Sequence, residues 1–227
     1  YHIFQQDCLE GIRDHVTTGS VDVIVTSPPY NLGKKYGKHD DSQPESIYLD
    51  WMGRVAEGLH SALSAKGSLF LNLGGKPSDP FWPIRVLERF TPRFTLQNTI
   101  LWVKSIVIRA ADVGSGSSLS KDLAVGHYKP VNSERYLNQT SEYVFHLTKS
   151  GDVTLAKLSI GAPYQDKSNV ARWGGAKADV RDLGNVWFIP YETVQRARPH
   201  PCVFPVKLPK QCIMLHGLDR TRLVMDP

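Results

Sequence analysis

Four consecutive residues, Ser27-Pro28-Pro29-Tyr30, place a hydroxyl, two prolines and an aromatic ring within one turn. Each proline locks its φ near about −65°, so the segment is stiff. Stiffness matters where a reactant must be held in a near-attack geometry. The Ser27 hydroxyl can donate or accept a hydrogen bond, and Pro28 offers a carbonyl but no N–H. Tyr30 adds a flat face. An acceptor pair beside an aromatic plate suits an exocyclic amino group on a nucleobase: the acceptors take the amino hydrogens while the ring stacks on the base. On these four residues alone, a plain strand end and turn stays open as the alternative.

The surrounding elements must hold this turn in place. Val21-Asp22-Val23-Ile24-Val25-Thr26 is rich in β-branched residues and stops at Ser-Pro-Pro, which predicts a buried strand feeding a rigid turn. A helix is predicted before it over Leu9–His15, with Asp7 placed to cap it. Ile47, Trp51, Val55, Leu59 and Leu63 recur every four residues and predict a second helix, ended by Gly67. Ser68–Leu73 reads as the next strand, broken by Gly74-Gly75-Lys76-Pro77, and Pro83–Phe90 as a short helix. Thr99–Val103 and Tyr143–Leu147 read as strands, Val206–His216 as a helix, and Leu223–Met225 as a last strand. Strands alternating with helices predict an α/β domain with a mainly parallel sheet. Trp51 and Trp102 are expected in the core. Residues 105–140 contain Gly114-Ser115-Gly116-Ser117-Ser118 and are expected to be a flexible loop; no G-x-G-x-x-G pattern makes it a phosphate cradle. Residues 151–185 have few apolar runs, and long stretches of this kind are usually functional or disordered.

The chain has 227 residues, enough for one large domain, and 41% of them are hydrophobic, which disfavours both disorder and membrane insertion. No stretch approaches the ~20 apolar residues of a membrane span, and no secretory leader is read. The chain opens on Tyr1 rather than Met, so a native start upstream is expected. Cys8, Cys202 and Cys212 form no CxxC pair, which argues against structural zinc and predicts reduced thiols in a cytoplasmic protein. The net charge is +5 and unevenly spread: residues 1–50 hold four Lys/Arg against eight Asp/Glu, residues 161–227 ten against six. The later part is the better candidate to meet a polyanion.

The motif Thr26-Ser27-Pro28-Pro29-Tyr30-Asn31 after Val21–Val25 resembles the catalytic motif of S-adenosylmethionine-dependent DNA amino-methyltransferases, which takes the forms S-P-P-Y, D-P-P-Y and N-P-P-Y. His200-Pro201-Cys202-Val203-Phe204-Pro205, then Leu208-Pro209, resembles the H-P-x-x-F-P segment that closes one side of their cofactor pocket. Asn185-Val186-Trp187 before it is typical of them. Ser141-Glu142-Tyr143-Val144-Phe145 resembles their seventh-strand region. Gln6-Asp7-Cys8 is similar to the short acidic segment that contacts the cofactor adenine, and Leu223–Pro227 to the start of the D-P-F-x-G-x-G motif that holds methionine. The catalytic motif comes first and the cofactor motif last, the order of the circularly permuted beta class. The resemblance covers nearly the whole chain. The glycines that follow D-P in that motif, and that let backbone approach the cofactor, are not among these 227 residues.

The resemblance implies a Rossmann-like, three-layer α/β sandwich, its sheet mainly parallel with an antiparallel final strand, circularly permuted. It implies a catalytic part in residues 1–150 with an insert at about 105–140, target recognition between the catalytic and cofactor motifs, and a cofactor-binding return in 186–227; recognition is expected in 151–185, assisted by 105–140. Catalytic residues would be Ser27, Pro28, Pro29 and Tyr30. S-adenosylmethionine would meet Asp7, Cys8, Thr26, Ser27, His200, Pro201, Phe204, Asp226 and Pro227, without a metal. DNA would meet Asn31, Lys34, Lys35, Lys38, Arg172, Lys177, Arg196 and Arg198, although a solvated loop also accounts for the lysines after Asn31 and the two arginines could instead face the cofactor carboxylate. The implied reaction is methyl transfer to the amino group of a flipped base in double-stranded DNA. Ser in the first motif position favours cytosine N4 over adenine N6. An inactive DNA-binding module of the same fold is the competing class; N-P-P-Y relatives acting on protein or RNA are disfavoured by Ser27 and by the permuted order. A cognate restriction enzyme is an implied companion, and both monomer and dimer stay open.

Overall fold

The structure is a computed structural model and describes residues 1–33, 35–36, 39–172, 179–191 and 203–227. Helix α1 spans Cys8–His15 and starts where the Asp7 carboxylate accepts the Leu9 N–H at 2.9 Å, the capping that its position predicts. Strand β1 is Val21–Thr26, followed by the two-residue strands β2 (Lys35–Tyr36) and β3 (His39–Asp40). Helix α2 (Glu45–Ala62) leads into β4 (Leu63–Leu73), then α3 (Trp82–Glu88), β5 (Thr95–Val103), β6 (Ser105–Ile108), β7 (Leu123–Gly126) and β8 (Ser141–Thr148). Helix α4 (Ser168–Arg172), β9 (Val186–Phe188), α5 (Lys207–His216) and β10 (Val224–Met225) complete the order.

Six strands form one sheet in the order β10-β1-β4-β8-β5-β9. Its pairings are parallel except for the two made by β8. The antiparallel strand is thus the one matched to the seventh-strand region, while the last strand in the chain, β10, runs parallel to β1 with Val224 opposite Val23.

Side chains alternate across the sheet, and both faces are covered. Leu69, Leu71 and Leu73 of β4 face the layer of α1, α2 and α3, where Tyr48, Met52, Leu59 and Val86 pack. Phe70 points the other way, with Val23, Val25 and Val144, toward Leu208, Cys212 and Leu215 of α5. A sheet buried on both faces explains why its central strands read as continuous apolar runs. Trp102 and Trp187 are buried in the second core; Trp51 is only partly buried against the first.

Two regions depart from expectation. Strand β4 starts at Leu63, directly after α2, and Gly67 lies inside it rather than ending a helix. The pairing with β1 slips there, from Val21 opposite Leu63 to Val23 opposite Ser68. A Cβ on Gly67 would stand 2.7 Å from Leu63 Cδ1 and 3.0 Å from the Asp22 carbonyl oxygen, so a larger residue at this bulge would displace the Leu63 side chain. Residues 105–140 are not simply a loop, because β6 and β7 pair antiparallel within them. Ile106, Val107 and Ile108 favour an extended strand. Gly126 has φ 85°, and a Cβ there would come 2.0 Å from the Lys104 carbonyl oxygen. In 151–185, the described residues form α4, a short 3₁₀ turn at Lys157–Ile160 and an isolated bridge between Ala162 and Arg181.

The second core also holds a polar cluster. Ser68 Oγ lies 2.9 Å from both His146 Nε2 and His216 Nδ1, and Asn98 Nδ2 lies 3.0 Å from His146 Nδ1. His146 is fully buried and stacks on Phe70 at 4.7 Å. Burial, and then the neighbouring His216, push the His146 pKa down to about 4. Among the described residues, no helix is long and apolar enough to cross a membrane.

Candidate active site

Strand β1 delivers Ser27 at the carboxyl end of the sheet, the edge at which open α/β sheets bind ligands. The residues around the turn fix it through its backbone. Tyr48 of α2 donates its hydroxyl to the Pro29 carbonyl at 2.6 Å, and Trp82 of α3 donates Nε1–H to the Tyr30 carbonyl at 2.7 Å. Among the described residues, no donor takes the Pro28 carbonyl. Two carbonyls are therefore held by the scaffold, and the one between Ser27 and Pro29 has no donor among the described residues.

Beyond Tyr30 the chain turns through a left-handed residue, Asn31 at φ 56°, a conformation Asn tolerates better than most residues. Its side-chain amide pairs twice with the Gln43 backbone, at 2.8 Å each way. Asn31, expected to contact DNA, thus has its amide engaged within the protein. The buried Asp41 carboxylate accepts the N–H groups of Asn31 and Leu32 at 2.9 and 3.0 Å. Asp41→Ala removes both acceptors, and an unsatisfied buried donor costs about 1–3 kcal/mol. The variant is expected to lose stability by that order and to exchange the amide hydrogens of residues 30–33 faster, as read by urea denaturation and hydrogen–deuterium exchange.

Behind the turn lies a hydrogen-bonded chain that the sequence reading did not identify. Ser27 Oγ is 2.9 Å from Tyr30 Oη, and Tyr30 Oη donates to Glu142 Oε2 at 3.1 Å. Asn72 Nδ2 donates to the same oxygen at 3.1 Å, and Lys104 Nζ to Oε1 at 2.8 Å. Lys104 and Glu142 are largely buried, their side chains 10% and 13% exposed. Tyr191 adds a longer contact, its hydroxyl 3.5 Å from Oε1 and its ring 5.3 Å from the Lys104 ammonium. Burial first, then the Glu142 charge, hold the Tyr30 hydroxyl well above its ordinary pKa, so it stays a protonated donor. Gly74 makes room for this ring, since a Cβ there would stand 2.8 Å from Tyr30 Cε2. Two signals were available: Glu142, the one carboxylate in its strand, and the Gly74-Gly75 pair, which reads as a strand breaker and is also a seat for an aromatic ring.

In front of the turn lies a cavity of about 210 Å³. Asp7 and Cys8 line it at the start of α1, with Thr26, Pro28 and Pro227 at the strand ends and an apolar wall from α2 that includes Trp51. Asp226 hydrogen-bonds Thr26, and burial raises its pKa to about 6. This donor set, acceptors on one side and apolar surface on the other, fits a ligand that combines a flat ring with cationic groups.

The structure therefore brings together Asp7, Cys8, Thr26, Ser27, Pro28, Pro29, Tyr30, Asp226 and Pro227. Phe204 packs with the second core, on the α5 side of the sheet. Lys35 lies in β2 and Arg172 ends α4. Lys34, Lys38, Lys177, Arg196, Arg198, His200 and Pro201 lie outside the described residues.

Comparison of the whole chain with known proteins identifies a family. The chain is 25% identical to the Type II methyltransferase M.BglII of Bacillus subtilis over 239 aligned positions, covering 99% of this chain and 58% of that protein. It is 36% identical to the Type II methyltransferase M.MjaVI of Methanocaldococcus jannaschii over 108 positions, 44% of this chain and 54% of that protein. The DNA adenine methyltransferase YhdJ of Escherichia coli is 25% identical over 99% of this chain and 70% of its own length. The chain spans a little over half the length of the first two relatives. In fold it is similar to the cytosine-N4-specific PvuII DNA methyltransferase, with a TM-score of 0.64 at 20% identity over 97% of this chain and 71% of that one. The Thermus thermophilus protein TTHA0409 gives a TM-score of 0.55 at 18% identity over 97% of this chain and 76% of that one. The N6/N4 methyltransferase family, described as DNA methylase, matches residues 21–227, and the chain belongs to that family.

Proposed function

We propose that this protein methylates an exocyclic amino group of a base in double-stranded DNA, using S-adenosylmethionine, and that the base is cytosine, modified at N4. One observation carries the reading: on the rigid turn the scaffold takes the Pro29 and Tyr30 carbonyls, while among the described residues none takes the Pro28 carbonyl, which lies beside the Ser27 hydroxyl and the cavity.

Asp7, Cys8, Thr26, Asp226 and Pro227 would hold the cofactor, with acceptors toward its cationic groups and the apolar wall toward its ring. Bound there, S-adenosylmethionine supplies an electrophilic methyl group. The target nitrogen is a poor nucleophile because its lone pair is delocalised into the base. The Ser27 hydroxyl and the Pro28 carbonyl accept its two hydrogens and turn it toward a tetrahedral shape, lone pair facing the cavity. Positioning and preorganised dipoles supply the acceleration. The base must leave the duplex to reach the turn. Tyr30, seated against Gly74, is a fixed plate for it, and stacking of this kind contributes roughly 1–3 kcal/mol.

Ser rather than Asp in the first motif position supports cytosine over adenine. The adenine reading has support from the relative named for that base. Beta-class organisation is supported by the pairing of β1, which carries the catalytic turn, with β10, which carries Asp226-Pro227 at the other end of the chain. In that reading residues 1–150 are catalytic, 151–185 recognise the target and 186–227 bind cofactor. The Type II names of several relatives support a restriction enzyme as companion.

The test is transfer of tritiated methyl groups from the cofactor to duplex DNA by the full-length protein, followed by nucleoside analysis. N4-methylcytosine is expected. N6-methyladenine would move the assignment to adenine, and DNA binding without cofactor affinity would favour an inactive module. Cofactor placement has its own check. Cys8 lines the cavity, its thiol pKa raised by burial and then by Asp7, whereas Cys212 is fully buried with its thiol raised further. Alkylation at mildly alkaline pH, read by peptide mass spectrometry, is expected to label Cys8 in the free protein, to slow several-fold at Cys8 with cofactor present, and to spare Cys212 in both.

A further inference from the structure

The chain of contacts behind the catalytic turn has only one consistent direction. The Glu142 carboxylate, ion-paired with Lys104, is acceptor-only, and it faces donors from Tyr30, Asn72, Lys104 and, at greater distance, Tyr191. Tyr30 has one hydroxyl proton and gives it to Glu142. Toward Ser27, 2.9 Å away, Tyr30 can then only accept. Ser27 must give its own single proton to Tyr30, which leaves its lone pairs as the only hydroxyl function it can turn toward a substrate.

We infer that Glu142, fixed by Lys104 and Asn72, is a positioning residue that sets the direction of the Ser27–Tyr30–Glu142 chain, so that the site presents an acceptor and selects an amino group over a carbonyl at the target position. The inference rests on the proposed reaction for its substrate, but the direction of the chain belongs to the free protein. A base with a carbonyl in place of the amino group would set oxygen lone pairs against those of Ser27 and the Pro28 carbonyl. The Tyr30 hydroxyl thereby has a role separate from its ring: stacking needs only the ring, while polarity needs the oxygen.

Two variants separate these roles. Tyr30→Phe keeps the ring and breaks the chain. Glu142→Gln keeps the shape but can offer Tyr30 an N–H, which would reverse the chain and turn the Ser27 proton outward. The full-length protein is labelled with ¹³Cζ-tyrosine, and the Tyr30 resonance is the one missing from Tyr30→Phe. In Glu142→Gln this resonance is expected to move. Single-turnover methyl transfer at saturating DNA and cofactor is expected to fall about 10²-fold in both variants, the scale for losing one preorganised polar contact, with cofactor Kd changed less than about threefold, a small loss beside that factor. With the target base set opposite an abasic site, so that the cost of unpairing is equal, the wild-type protein is expected to bind uracil more weakly than cytosine, or hypoxanthine more weakly than adenine, and Glu142→Gln to narrow that preference. If Lys104 left unpaired prevents folding, Lys104→Met with Glu142→Gln carries the same test. A Tyr30 resonance unmoved in Glu142→Gln, or a Tyr30→Phe rate equal to wild type, overturns the inference. A wild-type protein that transfers no methyl to DNA overturns the proposed reaction instead, and the resonance still decides the direction of the chain.

Discussion

Ser27→Ala is expected to lower the methyl-transfer rate by about 10²–10³-fold, the range for deleting one preorganised group aimed at developing charge. The loss should appear in kcat, not in cofactor affinity. Among the described residues the Ser27 side chain binds Tyr30 and not the groups that line the cavity proposed for the cofactor. Folding should be little affected, because the turn is held through the Pro29 and Tyr30 carbonyls by Tyr48 and Trp82, which the substitution leaves alone. Single-turnover transfer, cofactor titration and thermal denaturation of the full-length variant separate these three effects. A rate within a few-fold of wild type, in a folded variant that binds cofactor, would remove Ser27 from the chemistry and with it the reading of the turn as an acceptor pair.

Acidification from about pH 7 to pH 4 is expected to cost about 3 kcal/mol of stability through His146 alone. In the folded protein its pKa is pushed down to about 4, first by burial and second by His216, against an ordinary value of 6.5. The unfolded chain therefore takes up a proton below about pH 6.5 that the folded one refuses, so stability is full above that pH and falls as the pH drops. The loss levels off near pH 4, where the folded state protonates as well. A gap of about 2.5 units at about 1.36 kcal/mol per unit gives the figure. His216 is shifted in the same direction, by burial and by Arg220, and steepens the fall. Urea denaturation across this range measures the slope, and His146→Gln is expected to flatten it while lowering stability at neutral pH. A wild-type stability that does not change between pH 7 and pH 4.5 would mean that the buried pair opens to water.

How much of this protein was legible in its sequence depends on the range of the interaction concerned. The helix over α1, the strand before Ser-Pro-Pro and the helix before β10 follow from local rules. Asp7 caps the Leu9 N–H two residues on, β-branched residues favour extension, and two prolines end a strand whatever lies elsewhere. The four residues of the Ser-Pro-Pro-Tyr turn are legible for the same reason, because their stiffness and their polar groups are properties of the segment itself. What could not be read comes from residues far apart in the chain. The hairpin of β6 and β7 depends on the close approach of Gly126 to the Lys104 carbonyl. The His146–Ser68–His216 cluster joins strands and a helix up to 148 residues apart. The Glu142 carboxylate sits 112 residues from Tyr30 in sequence and 3.1 Å from it in space. Sequence determined which groups the turn offers. Only the sheet order, by setting β8 next to β4 and β5 next to β8, brought Glu142, Asn72 and Lys104 together behind it. A hydroxyl has no fixed polarity of its own, so whether Ser27 faces a substrate as donor or acceptor is decided by that buried carboxylate and not by the Ser-Pro-Pro-Tyr motif.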